Sequence, residues 1–194
     1  MINRYENKNF HIAFIDFKKA FDSVPHDGLM KCISKSGFSE QTIFMIENLL
    51  KNSSTNVHTP IGETTDIELL NGVKQGDCIS PILFNIFIDW LIKFIERRSS
   101  GLLIGKNKKI AILAYADDIV LLSNSHQELS SLMDDLMNFT SYFNIDVNIK
   151  KSAYMTNEPK SNLLFNKTII PTVTQYKYLG IIIDSRLRFN DHIQ

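Results

Sequence analysis

Ile110-Ala111-Ile112-Leu113-Ala114-Tyr115-Ala116-Asp117-Asp118-Ile119-Val120-Leu121-Leu122 is a pair of apolar runs separated by a short break that ends in adjacent carboxylates. Runs of this length and composition read as buried strands, and the break is short enough to fold them into a hairpin with acids at its tip. A further strand is read from about Phe10 to Asp16, its apolar run stopping abruptly at that carboxylate. Nothing structural asks for a negative charge at either place.

The rest of the chain fits around these strands. After Asp22-Ser23, Pro25 is placed in the first turn of a helix running to Ser36, with Gly37 as terminator. A second helix starts at Ser39 and is expected to bury Ile43, Ile46, Leu49 and Leu50. The Thr-rich stretch from Asn52 to Thr65 predicts short strands around Val57 and Ile67, paired as a hairpin through a turn at Gly62-Glu63. Ser80-Pro81 is read as an N-cap and first helical residue, opening a helix that is apolar almost all round and therefore internal. Strands are expected at Leu102 to Ile104 and Ile110 to Ala114. Ser125 and Glu128 read as a capping box before Leu129, Leu132, Met133, Leu136 and Phe143, at helical spacing. Beyond Asn144, strands are read at Ile145 to Ile149, Leu163 to Phe165, Thr168 to Ile170 and Tyr176 to Ile183. This order predicts an α+β domain: an antiparallel sheet with helices on one face, the split βαβ arrangement.

Composition narrows the class. The 194 residues carry 44% hydrophobic content, enough for one substantial core, and residues 1–194 read as a single domain. The 21 basic and 21 acidic residues leave no net charge, so a basic contact surface would have to be local. Cys32 and Cys78 form neither a disulfide framework nor a zinc motif, which favours a reducing, intracellular setting. Cys78 is expected to be a small buried residue rather than a nucleophile, since no His stands near it in sequence. His26 and His58 read as structural or solvated. The apolar run Ile82 to Ile95 is too short for a bilayer and contains Asn85, Asp89 and Lys93, so no membrane partner is expected.

If the two acid-tipped strands are neighbours in one sheet, Asp16, Asp117 and Asp118 share one end of it. Carboxylates at that range repel unless a cation lies between them. Magnesium suits hard oxygen ligands and keeps positions for water and phosphate, and two such ions ~3.5–4 Å apart support in-line phosphoryl displacement. Spacing alone leaves the alternative equally open: a solvated turn at Asp117-Asp118 and a helix cap at Asp16.

Several stretches, in order, resemble the reverse transcriptases of non-LTR retrotransposons. Phe14-Ile15-Asp16-Phe17-Lys18-Lys19-Ala20-Phe21-Asp22 is similar to their first palm motif, and Gly72-Val73-Lys74-Gln75-Gly76-Asp77-Cys78-Ile79-Ser80-Pro81-Ile82-Leu83-Phe84-Asn85 to their second. Ala114-Tyr115-Ala116-Asp117-Asp118 resembles the Tyr-x-Asp-Asp box, Asn148-Ile149-Lys150-Lys151-Ser152 the Asn-x-x-Lys-Thr motif, and Tyr178-Leu179-Gly180 the primer grip. The wording is nearest to elements that insert into ribosomal RNA genes. Cys78 departs from the pattern, standing where the family has proline.

The resemblance implies a polymerase palm with fingers and thumb largely missing, residues 171–194 leading towards the primer grip and thumb. It implies copying of an RNA template from a DNA primer with deoxynucleotides, two Mg2+ ions with Mn2+ as substitute, and a nuclear location. Asp16 and Asp117 would be the principal metal ligands, with the Phe17 carbonyl and Asp118 beside them. Phe21 would lie beneath the sugar and exclude a 2′-hydroxyl; on chemistry alone it reads also as core. Gln75 and Gly76 would meet the nucleotide and template, although a simple turn explains Gly76 equally well. Lys151 would meet the leaving pyrophosphate, or else be a solvated lysine. Rival readings are another palm enzyme, such as an RNA-dependent RNA polymerase or a nucleotide cyclase, and a decayed or domesticated fragment that binds nucleic acid or protein without catalysis. Phe21 disfavours the first, and the retained acids disfavour the second.

Overall fold

The structure, a computed structural model, describes residues 9–51, 53–55, 58–63, 67–74, 76–99, 101–104, 108–158 and 161–186. In chain order, β1 (His11–Ile15) leads through α1 (Ala20–Ser23) to α2 (His26–Ser34) and α3 (Glu40–Lys51). The short strands β2 (Ser54–Thr55), β3 (His58–Thr59), β4 (Gly62–Glu63) and β5 (Ile67–Glu68) precede α4 (Ser80–Glu96). Next come β6 (Leu102–Ile104), β7 (Lys108–Ile110), β8 (Ile112–Tyr115), β9 (Asp118–Ser123) and α5 (His126–Phe143). The chain continues through β10 (Ala153–Thr156), β11 (Leu164–Phe165), β12 (Thr168–Ile169), β13 (Gln175–Tyr178) and β14 (Ile181–Asp184).

The central sheet is four-stranded and antiparallel, in the order β10-β1-β9-β8. Every residue of β1 is buried, because the sheet is covered on both faces. Ala13, Ile15, Ile119 and Leu121 join the core formed with Leu83, Phe87 and Leu91 of α4 and Leu129, Leu132 and Leu136 of α5. Ile12, Phe14, Val120, Leu122 and Met155 point the other way and pack against Tyr176, Tyr178 and Ile183 of the β13–β14 hairpin. The period-2 alternation of strand side chains thus sorts one apolar run between two cores. Removing any of these large side chains to alanine costs about 2–5 kcal/mol. The expectation of an α+β sheet with its helices on one face holds, and the second face carries a hairpin.

Several boundaries differ from the sequence reading, each for a local reason. Pro25 is extended (φ −71°, ψ 131°) and bridges Asn71, so it precedes α2 instead of opening it. Ser80 lies inside α4 because the chain already winds helically at Ile79, whose N–H is held by Asp77 Oδ1 at 3.2 Å. Leu49 is exposed, whereas Ile46 and Leu50 are buried. Ile82 is likewise exposed on the otherwise internal α4. The Thr-rich arm pairs β2 with β5 and β3 with β4, which makes Gly62–Glu63 a strand and places the turn at Pro60–Ile61; Val57 lies outside the described residues. The run Ile110 to Ala114 breaks at Ala111 between two pairings, β6–β7 and β8–β9. Ser125 Oγ caps α5 by accepting the Glu128 N–H at 3.2 Å, while the Glu128 carboxylate accepts the Gly101 N–H at 2.9 Å and so ties α5 to the end of α4. Tyr176 to Ile183 is a hairpin, turned by Leu179 (φ 48°) and Gly180 (φ 84°).

At the far end of β1, His11 is fully buried, with Nδ1 2.7 Å from Tyr154 Oη and Nε2 2.8 Å from Glu158 Oε2. The carboxylate can only accept, so Nε2 carries the proton and Tyr154 donates to Nδ1. Among the described residues, no helix is long and apolar enough to cross a membrane.

Candidate active site

The β1–β9 ladder ends with Ile15 opposite Ile119, so the next step of the register sets Asp16 beside Asp118. Tyr115 pairs with Asp118 across the β8–β9 turn, leaving Ala116 and Asp117 at the tip, with Ala116 at φ 51°. Asp16 is half-buried, and Asp117 and Asp118 are exposed. The Asp118 carboxyl is held above the usual carboxylate range, first by partial burial and then by the charges of Asp117 and Asp16. Acids distant in the chain are thus in electrostatic contact at one sheet end, with Asp117 and Asp118 exposed at the turn.

Among the described residues, no group of three or more His, Cys, Asp and Glu side chains is drawn together tightly enough to form a ready metal cage. The donor chemistry nevertheless fits a hard cation. The ligand candidates are carboxylate oxygens, and their mutual repulsion is what a divalent ion relieves. Phe17 adds a carbonyl. Its bridge to Val147 is built by Lys18 N–H to Asp146 O (2.8 Å) and Asn148 N–H to Asp16 O (2.7 Å). In such a pair the central residue's own carbonyl turns to the opposite edge, here the side on which β9 lies.

The first motif continues through Lys19 (φ 48°) into α1, where Phe21 is half-buried and stacked on Phe84 of α4 at 4.3 Å and 17°. The second motif is laced onto it: Val73 N–H donates to Phe21 O (2.8 Å) and Gly72 N–H to Val24 O (2.7 Å). His26 is structural, with Nε2 2.8 Å from Gly72 O. Within the chain the second motif presses closest at Gly72, where an added Cβ would lie 2.9 Å from Asp22 O. Gly76, at φ 89°, has open space around it and serves the turn. Gln75 lies outside the described residues. Cys78 is exposed, contrary to the expectation of burial, whereas Cys32 is buried.

Lys151 is exposed on the turn that follows Val147, with its carbonyl 3.5 Å from Tyr176 Oη. The reading of Ile145 to Ile149 as a strand is corrected: β1 is flanked there by a single bridge at Val147, and β10, unread in the sequence, forms the ladder. The sequence reading put Tyr178 in the primer-grip motif and gave Tyr176 no place at the site. Both hydroxyls are raised in pKa, first by burial and then by the charge of Asp118, so both feel the acids. Tyr176 stacks on Phe14 at 4.1 Å. Their i, i+2 spacing on one face of a strand was the available signal.

An acid-tipped antiparallel sheet backed by two long helices defines the class, a polymerase palm. The structure of telomerase from Candida tropicalis in complex with a fragment of telomeric RNA superposes on it with a TM-score of 0.69 at 15% identity, covering 96% of this chain and 30% of that one. The chain belongs to the family described as "Reverse transcriptase (RNA-dependent DNA polymerase)", which matches residues 2–183. A Pol polyprotein from the type-1 retrotransposable element R2 of Popillia japonica is 34% identical over 77% of this chain and 21% of its own length. The RNA-directed DNA polymerase from the mobile element jockey of Drosophila melanogaster is 26% identical over 97% of this chain and 21% of its own length. The chain therefore spans about a fifth of each, and the resemblance to non-LTR elements read from its motifs agrees with both.

Proposed function

We propose that this domain is the catalytic palm of an RNA-directed DNA polymerase of a non-LTR retrotransposon, extending a DNA primer along an RNA template with deoxynucleotides. One observation carries the reading: Asp16 and the Asp117-Asp118 pair, on separate stretches of chain, are delivered by strand register to one sheet end where their charges interact. Asp16 and Asp117 would hold divalent ions, with the Phe17 carbonyl and Asp118 completing the oxygen donors. Two magnesium ions, replaceable by manganese, would activate the primer hydroxyl and stabilise the leaving oxygen.

The chain's own residues do the rest. Phe21, backed by Phe84, would lie beneath the sugar and leave no room for a 2′-hydroxyl, selecting deoxynucleotides by exclusion. Lys151 brings a cation towards the departing pyrophosphate. The second motif, held to the first by the Val73 N–H to Phe21 O bond, would supply Gln75 and Gly76 for base and template contact. Copying at chromosomal DNA would place the protein in the nucleus.

Primer extension on a primed RNA template by a polymerase containing this domain tests the reading. Asp117→Asn is expected to abolish detectable extension; extension at the unmodified rate would overturn the assignment.

A further inference from the structure

The strand beside β1 does not run straight. Between the pairs Phe14–Ala153 and Phe17–Val147, β1 advances three residues while its neighbour takes six. The surplus forms the turn at Asn148–Lys151. Such an excursion interrupts the ladder, and an amide beside it loses the carbonyl a regular partner would offer.

Asp16 is that residue. Its N–H goes instead to Ser152 Oγ at 3.1 Å, and the same hydroxyl donates to Asn148 O at 2.9 Å. Asn148 closes the ring, its N–H donating to Asp16 O at 2.7 Å. Both backbone polar groups of Asp16 are therefore held by one turn. Ser152 is 2% exposed, so water has little access to replace its hydroxyl.

We propose that Ser152 is a positioning residue for Asp16: its hydroxyl stands in for the missing ladder carbonyl and sets the direction in which the Asp16 carboxylate leaves the sheet. The inference rests on the metal-site reading of Asp16. It also makes one turn responsible for two groups, since Lys151 precedes Ser152 and Lys151 N–H shares the Asn148 carbonyl at 3.1 Å. Loss of the hydroxyl frees the Asp16 N–H and lets Asp16 reorient.

The test is Mn2+ binding to the full chain, followed by the electron paramagnetic resonance signal of free Mn2+, for the unmodified protein, Ser152→Ala, Ser152→Thr and Asp16→Asn. One lost hydrogen bond predicts about fivefold weaker binding in Ser152→Ala, recovery in Ser152→Thr, and loss of binding in Asp16→Asn. In primer extension Ser152→Ala should lower kcat without changing KM for the primed template. If Asp16→Asn binds Mn2+ normally, the metal-site reading fails and takes this inference with it. If Asp16→Asn loses binding but Ser152→Ala does not, only the role of Ser152 is overturned. Should Ser152→Ala not fold, amide exchange in the unmodified protein decides: an Asp16 N–H as protected as those within β1 supports the clasp, and fast exchange overturns it.

Discussion

Phe84 does not line the acid pocket, yet replacing it should change which sugar the polymerase accepts. Its ring is 2% exposed and lies flat against Phe21, centroids 4.3 Å apart and planes 17° from parallel. The Phe21 carbonyl accepts the Val73 N–H at 2.8 Å, and its side chain packs against the main core. Phe84→Leu retains an apolar filler but removes the stacked face. An aromatic pair is worth about 0.5–1.5 kcal/mol beyond the area it buries, and about 1.4 kcal/mol corresponds to a factor of ten. If the stack holds the Phe21 ring in the excluding position, preference for deoxy- over ribonucleotides should fall by about two- to tenfold. The assay is single-nucleotide extension, with kcat/KM measured separately for a deoxy- and a ribonucleoside triphosphate. Phe21→Ala sets the upper limit of the effect. A full preference retained in Phe84→Leu while Phe21→Ala loses it would show that the stack does not hold the gate; a preference unchanged in both would remove the gate itself.

Gly28→Ala should destabilise the domain, because the added Cβ would lie 2.6 Å from Phe143 Cδ1 and 2.9 Å from Pro25 Cγ. Phe143 is itself hemmed in by Phe139 at 4.7 Å and Phe87 at 4.9 Å, so overpacking of about 1–3 kcal/mol outweighs the helix gain of about 1 kcal/mol; a raised melting temperature would contradict this. Burial pushes the Cys32 thiol up to about 11, so iodoacetamide at pH 8 should label exposed Cys78 alone in the native chain, and mass mapping of a modified Cys32 would refute the prediction. Burial lowers the His11 pKa against the opposing pull of Glu158, with His126 adding to the lowering and Tyr154 hydrogen-bonded to the ring. A depressed base contributes stability that is present above about pH 6.5 and lost as pH falls through its folded value; melting temperature should therefore drop on acidification through that range, and His11→Gln should flatten the drop. Magnesium should raise the melting temperature of the unmodified chain more than that of Asp118→Asn, since a cation relieves the repulsion from Asp117 and Asp16 that adds to burial in raising the Asp118 pKa; equal shifts would argue against a shared site.

The apolar runs, the buried α4 and the Ser125 cap were legible because each depends on a handful of consecutive residues whose burial or capping chemistry repeats at a fixed period. The acids at Asp16 and Asp117-Asp118 were legible for the opposite reason, as charges that local structure does not explain. Pairing partners were harder. Ala153–Thr156 is a short run with no alternation to mark it, and Ile145 to Ile149 resembles a better strand; the choice between them is made by the six-residue excursion against three in β1. Cys78 was read as buried because composition favours it, whereas the second motif's loop leaves it at the surface.

By itself, then, the sequence determined which segments are apolar enough to be strands and helices, which motifs they carry, and the reverse transcriptase family to which they belong. It did not determine that Tyr176 and Tyr178 pack against Phe14 of β1, that Gly72 presses on Asp22, or that Ser152 holds the Asp16 backbone. Those relations join residues far apart in the chain through register and close packing, and no local period encodes the angle or step at which two strands meet. Only the folded sheet, with one face on α4 and α5 and the other under the β13–β14 hairpin, decides them.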